Sequence, residues 1–345
     1  MAHRFHAWAG AAVIAAVAFV PFFADSYLQY LVNLVLVYAI IGMGLNFLLG
    51  YAGQFAFAHA AFMGIGAYTV CILTTRVGLS YWLALPAAGV VTAVIGAIAC
   101  LPALRMRRVY LALATLAFAE LSIWVFIHFS WLTYGTNGIG VEHPGFFGGE
   151  LRGDGEIFYL NFGVFIIMYL VGQRILHSRI GRSFAAIKES ELVARCNGIS
   201  VARTKLLAFT LSAFYAGIGG GLYALSIGFI SPENFGLNEI ALHFSIIVIG
   251  GLGSMPGAVI GAAVVTLLPE FLRAVQGIEE LVYGVMLMFF ILFMPGGIAS
   301  LLRRIRILPQ EVLAERAVRR GRRRQAKREE GAAPAAGEAQ ETGPT

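Results

Sequence analysis

The sequence predicts an all-α, polytopic membrane protein, and three observations support this fold class. Of its 345 residues, 59% are hydrophobic and only 13% are charged, about half the charged fraction of a typical soluble domain. The apolar residues come in blocks of about 20, the length that a helix needs to cross the hydrocarbon core of a bilayer. Because these blocks are continuously apolar and do not alternate, a transmembrane β-barrel is disfavoured.

The apolar blocks predict about ten membrane crossings. They cover residues 8–23, 28–49, 55–75, 82–104, 109–132, 157–177, 205–227, 240–254, 256–275 and 280–300. The first block follows a basic start, and no small-x-small cleavage site comes after it, so we expect an uncleaved first helix. The 55–75 and 240–254 blocks are glycine-rich or short, and each is a candidate for a broken or re-entrant helix.

Charge in the connecting loops predicts the orientation. Segment 174–205 carries seven basic residues and two acidic ones, whereas segment 133–156 carries four acidic residues and one basic one. Since cytoplasmic loops are enriched in Lys and Arg, the first segment is expected inside and the second outside. Counting crossings from there places both termini in the cytoplasm. By the same count Glu239 is expected on the outer side, and His243 near the membrane interface.

Residues 1–302 are expected to form the transmembrane domain, followed by a basic cytoplasmic tail over 303–330 and a disordered C-terminus over 331–345. Eleven of the 25 Lys and Arg residues lie between Arg303 and Arg328. A basic run beside a membrane is typical of a cytoplasmic segment near anionic lipid headgroups. The tail lacks interleaved aromatic residues, so a nucleic acid is not an expected partner.

The spacing of the cysteines and glycines disfavours disulfides, a metal site and a phosphate-binding loop. Cys71, Cys100 and Cys196 form no CxxC or Cys/His pattern, so neither disulfides nor a metal site is expected. The glycine-rich run 250–257 lacks the Gly-Lys-Ser/Thr ending of a phosphate loop. Its Gly253 begins instead a four-residue repeat with Gly257 and Gly261, which is typical of close helix contact.

A conspicuous insert at about 178–204 separates two apolar blocks. Ser183 is expected to begin a helix, and Asn197 and Gly198 to end it. Glu191 and Arg195, four residues apart, could form an ion pair. Apolar contacts are expected from Phe184, Ile187, Leu192 and Val193. The pattern fits a knob that enters a groove on another protein, and it equally fits an interfacial linker between two crossings.

Three segments carry a family resemblance. The insert, from GRSFAAIKESELVARCNGI at 181–199 to ARTKLLAF at 202–209, resembles the permeases of branched-chain amino acid ABC importers, most closely the M-type (LivM-like) family. Matching segments lie at 44–46, 50–54, 59–62 and 64–68, and again at 248–254 with 256–258. Together they span about residues 30 to 300 in the right order.

The resemblance implies a permease subunit that moves branched-chain or other hydrophobic amino acids across a bacterial or archaeal inner membrane. Members of the wider family serve urea, amides or other small solutes, so these stay open as alternatives. The insert would be the coupling segment that docks on cytoplasmic ATPase subunits, although its E-A-A…G spacing is one residue longer than the general pattern. Its expected coupling residues are Phe184, Ile187, Lys188, Glu191, Ala194, Arg195 and Gly198.

The same resemblance implies further partners. A second, related permease and a periplasmic or extracellular substrate-binding protein are expected, together with membrane lipid. The chain has no Walker A motif, so ATP would be hydrolysed by the partner subunits and this chain would bind no cofactor. We therefore do not expect it to be an enzyme.

Polar and glycine residues at membrane depth are candidates for the substrate path. This set comprises Asn46, Gln54, His59, Tyr68, Gly250 and Gly251. A discontinuous helix can expose backbone groups to a zwitterionic substrate, but hydrogen-bonded helix packing explains the same residues. Glu120 is an isolated acid deep in the 109–132 block. It is expected either in a buried hydrogen bond or near a subunit contact, and we prefer both to proton coupling.

Two other functions compete with the importer. An ion-coupled secondary transporter should contain paired charges within the membrane, and away from the ends of the spans the sequence offers Glu120 alone. A membrane enzyme should show a catalytic triad, a histidine cluster or a metal constellation, whereas His59 and His243 are expected to be isolated. The importer is therefore the leading hypothesis.

Overall fold

The structure is a computed structural model that describes residues 21, 25–104, 108–141, 145–146, 149–150, 153–272, 284–285, 288, 297–298 and 300. The chain divides into two compact units, Met1–Ala299 and Ser300–Thr345. The elements from Ser26 to Leu272 belong to the first unit. The expected tail segments 303–330 and 331–345 lie outside the described residues.

The described chain is helical, with short connecting elements. Its helices are α1 (Ser26–Leu45), α2 (His59–Thr75), α3 (Tyr81–Ala103), α4 (Arg108–His128), α5 (Ser130–Thr133), α6 (Asp154–His177), α7 (Arg179–Glu189), α8 (Glu191–Cys196), α9 (Val201–Ile227), α10 (Leu237–Gly250) and α11 (Met255–Leu272). A π-helical turn, Asn46–Tyr51, extends α1, and 3-10 turns cover Gly135–Asn137 and Pro232–Phe235. Four two-residue strands form two antiparallel pairs: β1 (Ile139–Gly140) with β4 (Phe229–Ile230), and β2 (Gly145–Phe146) with β3 (Gly149–Glu150).

Within the part of the chain that the structure describes, five helices are long and apolar enough to cross a membrane: α1 with its π turn, α3, α4, α6 and α9. The shorter helices α2 and α11 are also apolar. This confirms an all-α, multi-pass architecture. The expected spans 8–23 and 280–300 lie largely outside the described residues, so the count of ten crossings stays a prediction.

Helices α1 and α9 form the centre of the bundle. Helix α9 packs most extensively against α3, α2 and α1, and α1 also packs on α11 and α6. Within the chain, 78% of the apolar window of α1 and 72% of that of α9 are buried, against 28% for α4. Helix α4 therefore presents most of its apolar surface outward, to lipid or to another protein.

Small residues allow the central helices to approach closely. A Cβ atom on Gly66 would overlap the backbone of Gly217, and one on Gly220 would overlap the carbonyl oxygen of Met63. These two close contacts form the crossing between α2 and α9. Helices α10 and α11 meet in the same way, with Gly250 against Gly257 and Gly261. The expected close contact through Gly257 and Gly261 is confirmed, whereas Gly253 lies in the turn before α11.

Two of the predicted spans are interrupted. Helix α2 begins only at His59, and residues 52–58 before it are not helical and alternate between buried and more exposed positions. Helix α10 has 14 residues, or ~21 Å at about 1.5 Å per residue. It ends at Gly250, where the chain turns through residues 251–254 into α11. The expectation that these two segments depart from full-length helices is confirmed.

The α2–α9 crossing generates a stability prediction. Gly220→Val should lower the thermal unfolding midpoint in detergent, because its side chain would collide with the Met63 carbonyl, and overpacking typically costs about 1–3 kcal/mol. The matched control is Gly163→Ala in α6, where no atom lies within 4 Å of the added Cβ. Alanine there should leave the midpoint unchanged or raise it, since glycine weakens a helix interior. Equal thermal unfolding midpoints for the two variants would contradict the close contact between Gly220 and Met63.

Candidate functional site

The end of α1 and the turn between α10 and α11 are joined by one side chain, that of Asn46. Its Nδ2 donates to the Ser254 carbonyl at 2.8 Å, and its Oδ1 accepts from the Gly253 amide at 2.8 Å. Asn46 is fully buried. We call Asn46, Gly50, Gly53, Gly253 and Ser254 the glycine junction.

The glycines of this junction are required by space and by backbone conformation. A Cβ atom on Gly50 would overlap the Asn46 carboxamide and lie 2.6 Å from the Gly253 nitrogen. Gly253 has a φ angle of +76°, in the left-handed region that glycine adopts without a steric penalty. The two glycine-rich segments that stand about 200 residues apart in the sequence therefore form one structure.

Helix α7 reaches the same junction through Lys188. The Lys188 ammonium donates to the Gly50 carbonyl at 2.7 Å. A Cβ atom on Gly53 would lie 3.0 Å from Lys188 Cγ, so the stem of the lysine runs directly over Gly53. Lys188, predicted as a coupling residue, thus contacts this chain's own α1.

The insert folds as two helices where the sequence predicted one. Ser178, not Ser183, caps α7, with its Oγ accepting from the Ile180 amide at 3.1 Å. Ser190 adopts extended backbone and caps α8 by accepting from Val193, which separates the two helices. The expected stop is confirmed: Gly198 has a φ angle of +75°, and the Ile199 amide bonds the Ala194 carbonyl in a Schellman arrangement.

One side of the α7–α8 segment faces the bundle. Phe184 and Ile187 are completely buried, and Ala194 is nearly so. Glu191 pairs with Lys205 at the start of α9, with 2.7 Å between Oε1 and Nζ. The expected Glu191–Arg195 pair is wrong, because Lys205 is the closer cation and Arg195 is exposed to solvent.

The other side of the segment is exposed and partly apolar. Leu192 is 72% exposed and Val193 is 58% exposed, although the sequence predicted both as apolar contacts. Beside them, an open depression of about 400 Å³ is lined by Arg195 and by residues 198–202. Of the predicted coupling residues, Arg195 and Gly198 lie on this exposed surface. We call Leu192, Val193, Arg195 and Gly198 the outer face of α8.

His59 is engaged within the chain. Its Nε2 lies 2.9 Å from the Ile41 carbonyl, which can only accept, so this nitrogen carries the proton. In the neutral ring, Nδ1 then accepts from the Ser212 hydroxyl at 3.2 Å. The imidazole therefore joins α1, α2 and α9. For His59, as for Asn46, the geometry favours the packing interpretation.

Other predicted path residues keep free polar atoms. Gln54 donates to the Ala52 carbonyl at 3.2 Å, but within the described residues its Oε1 has no hydrogen-bond partner, and neither does the Tyr68 hydroxyl. Both side chains are buried. The Tyr68 ring packs on Phe126, with 4.6 Å between ring centroids. Gly250 serves the α10–α11 crossing, and Gly251 begins the turn after it.

Sequence reasoning missed the burial of His243. It is completely buried within the protein, with its ring centroid 5.4 Å from that of His59, whereas its expected depth near the membrane interface stays a prediction. Its Nε2 lies 3.1 Å from Glu239 Oε1, but without hydrogen-bond geometry, and neither ring nitrogen is bonded within the part of the chain described. Glu239, expected on the outer side, has a side chain only 11% exposed. Their i, i+4 spacing on one helix was the available signal.

Glu120 lies on the exposed surface of α4. With Leu121, Ile123, Trp124 and Ile127 it lines an open depression of about 670 Å³. A buried hydrogen bond inside this chain, one of the two expectations, is therefore wrong. The alternative, a position near a subunit contact, stays open.

The fold and the junction define a multi-pass membrane protein with interrupted helices and an amphipathic segment attached to them. Residues 27–294 match the family described as "Branched-chain amino acid transport system / permease component". The chain belongs to this family of transport permeases.

Named relatives agree with this assignment. The high-affinity branched-chain amino acid transport system permease protein LivM of Salmonella typhimurium is 33% identical, over 85% of this chain and 74% of the relative. The permease protein LivH of the same organism is 28% identical, over 76% of this chain and 90% of its own. BraD of Pseudomonas aeruginosa is 29% identical, over 79% and 95%. No solved structure matches.

Asn46 can be tested directly. Asn46→Leu, of similar size, should lower the thermal unfolding midpoint clearly, because it leaves the Gly253 amide without its partner and removes one of the two hydrogen bonds to the Ser254 carbonyl, which keeps the bond from the Ala258 amide. Each buried orphan group costs about 1–3 kcal/mol. Differential scanning fluorimetry in detergent measures the midpoint, with monodispersity on gel filtration as the control for folding. An unchanged midpoint would show that the bridge does not stabilise the bundle.

Proposed function

We propose that this chain is a permease subunit of an ATP-driven importer that carries branched-chain or other hydrophobic amino acids across a bacterial or archaeal inner membrane. The observation that carries the proposal is the two-sided α7–α8 segment. Its inner side is bonded to the glycine junction and to α9, while its outer face exposes Leu192 and Val193. Family membership and the names of the relatives support the transport assignment.

Separate cytoplasmic ATPase subunits dock on the outer face of α8. Exposed apolar side chains beside a concave surface are typical of protein contact sites, and the basic residues of 174–205 favour a cytoplasmic position for the segment. ATP binding and hydrolysis in those partners move the segment. This chain binds no nucleotide and catalyses no reaction, and both of its termini are cytoplasmic.

The substrate passes beside α1, α2 and α10. Gln54 Oε1, the Tyr68 hydroxyl and His243 Nδ1 are buried polar atoms without a hydrogen-bond partner within the described chain, and these suit the amino and carboxylate groups of an amino acid. Asn46 and His59 shape the path by holding the helices around it. A binding protein on the opposite side of the membrane delivers the substrate. Urea, amides and other small solutes are the alternative cargoes.

A second, related permease covers the exposed face of α4. Glu120 is the thirteenth of 21 residues in this helix, so an uncovered carboxylate would face the bilayer interior, at a cost of about 2.5–3.5 kcal/mol or more. A neighbouring permease relieves that cost by offering a hydrogen-bond donor or a cation. LivM and LivH are both named permease proteins of high-affinity branched-chain amino acid transport systems, and this chain is similar to both.

The docking proposal is tested by co-purification. Leu192→Asp should abolish retention of the ATPase on the tagged, detergent-solubilised complex, because it places a charge in an apolar contact. The matched control is Val77→Asp, at a residue 64% exposed at the far end of α2, which should retain the ATPase. Uptake of radiolabelled leucine, with urea and acetamide in parallel, identifies the cargo. Full ATPase retention by Leu192→Asp would overturn the docking surface.

The α4 contact is tested at Glu120. Glu120→Gln keeps a hydrogen-bonding side chain of the same size, so uptake and co-purification of the second permease should be preserved. Glu120→Lys reverses the charge and should release the second permease, as scored by mass spectrometry of the purified complex. A lysine variant that retains its partner would show that this face is not the contact. Loss of uptake in an intact glutamine variant would instead revive proton coupling.

A further inference from the structure

We propose that Lys188 is a positioning residue that makes the α7–α8 segment and the glycine junction move as one unit, so that movement of the segment reaches α1 and the α10–α11 turn directly. This inference rests on the proposed ATP-driven function, because it names the contact through which that drive reaches the substrate path. Lys188 acts on the path through the junction.

The Lys188 ammonium meets a carbonyl that carries partial negative charge. The carbonyl that Lys188 contacts belongs to Gly50, in the last turn of the π-helical extension of α1. The carbonyl end of a helix carries partial negative charge, and a cation placed there is stabilising. The chain turns at Ala52 and Gly53, and among the described residues the bond recorded at the Gly50 carbonyl is the one from Lys188.

The stem of Lys188 also packs closely on Gly53. A Cβ atom at Gly53 would lie 3.0 Å from Lys188 Cγ and 3.4 Å from its Cα. The backbone of α7 can therefore approach the end of α1 only because position 53 has no side chain. The lysine stem fills this space while its ammonium bonds Gly50 at 2.7 Å. Lys188 is exposed as a residue, but its stem contacts Gly53 and its ammonium bonds Gly50.

Through Gly50 and Asn46, Lys188 is linked to the turn between α10 and α11. Gly50 lies one helical turn from Asn46, which bonds both Gly253 and Ser254. A displacement of Lys188 is consequently shared by the end of α1 and the start of α11. The Glu191–Lys205 ion pair reaches only α9, the helix into which the segment already leads. In the described part of the chain, Lys188 is the side chain of α7 and α8 for which a hydrogen bond to α1 is recorded.

This arrangement gives the segment control over one end of the substrate path. The junction lies where the non-helical stretch 52–58 leaves α1 and where α10 ends. His59 begins α2, which follows this stretch, and His243 lies on α10, which ends at the junction. When the segment moves toward or away from the bundle, both interrupted helices move with it, and this end of the path closes or opens.

The first test is a comparison of Lys188→Met with Arg182→Met in the purified complex reconstituted into liposomes. Methionine keeps an apolar stem and removes the ammonium, and Arg182 is an exposed cation on the same helix. We expect Lys188→Met to retain the ATPase and continue to hydrolyse ATP, while substrate uptake per ATP falls roughly tenfold, as for a lost charge-assisted hydrogen bond. Arg182→Met should match the wild type, and Lys188→Arg should restore much of the coupling.

The second test needs only the solubilised full chain and so does not depend on the ATPase. Spin labels on the exposed native Cys196 and on Phe55→Cys report the distance between α8 and the 52–58 stretch, with the buried Cys71 and Cys100 replaced by alanine. We expect one narrow distance distribution in the wild type and in Arg182→Met, and a broadened one in Lys188→Met. If Lys188→Met does not fold, Lys188→Gln is measured instead.

The outcomes separate the two proposals. Unchanged distance distributions and normal uptake per ATP in a folded Lys188 variant would overturn the positioning role. If the wild-type chain retains no ATPase but Lys188→Met broadens the distribution, the contact stands and the proposed drive fails. A folded variant that loses the ATPase together with uptake would place Lys188 in docking, and this would also overturn the inference.

Discussion

The Asn46 carboxamide is the contact on which the rest of this arrangement depends. In a bilayer, backbone groups released by a break in a helix must find partners inside the protein, because lipid offers none. Helix α1 and the α10–α11 turn both release such groups, and Asn46 bonds one donor and one acceptor of that turn. The break at the end of α1 and the break between α10 and α11 would each cost free energy if their backbone groups had no partners. The Asn46 bridge reduces this cost, so both breaks can be buried.

The two sides of the α7–α8 segment make different kinds of contact. Its buried residues, Phe184 and Ile187, hold it on the bundle, while Lys188 and Glu191 direct their charges at specific partners, Gly50 and Lys205. Leu192 and Val193 are left outside. A segment built in this way can contact a second protein without loosening its attachment to the first.

Periodic and compositional signals predicted the helices well, but not the pairing of distant polar groups. The span positions, the interruptions near residues 55 and 250, and the glycine stop at Gly198 can all be read from local hydropathy and glycine content. The Ser178 and Ser190 caps were missed because several serines satisfy the same local pattern. The Asn46–Gly253 bridge joins positions more than 200 residues apart, and no spacing rule within one sequence identifies such partners. The burial of His243 was missed because hydropathy does not show which side of a helix faces the bundle.

The shortness of α10 has a consequence for the surrounding lipid. Its 14 residues cover ~21 Å, roughly two thirds of a hydrocarbon core of about 30 Å. The helix packs against α1, α2 and α11, so we expect neighbouring protein to accommodate the difference and the bilayer to keep its thickness. The depth of the turn at its end is therefore set by internal packing. In membranes of different acyl-chain length, this turn would therefore keep the same position relative to its neighbouring helices. Hydrophobic mismatch would be confined to the peripheral helices α3, α4 and α6.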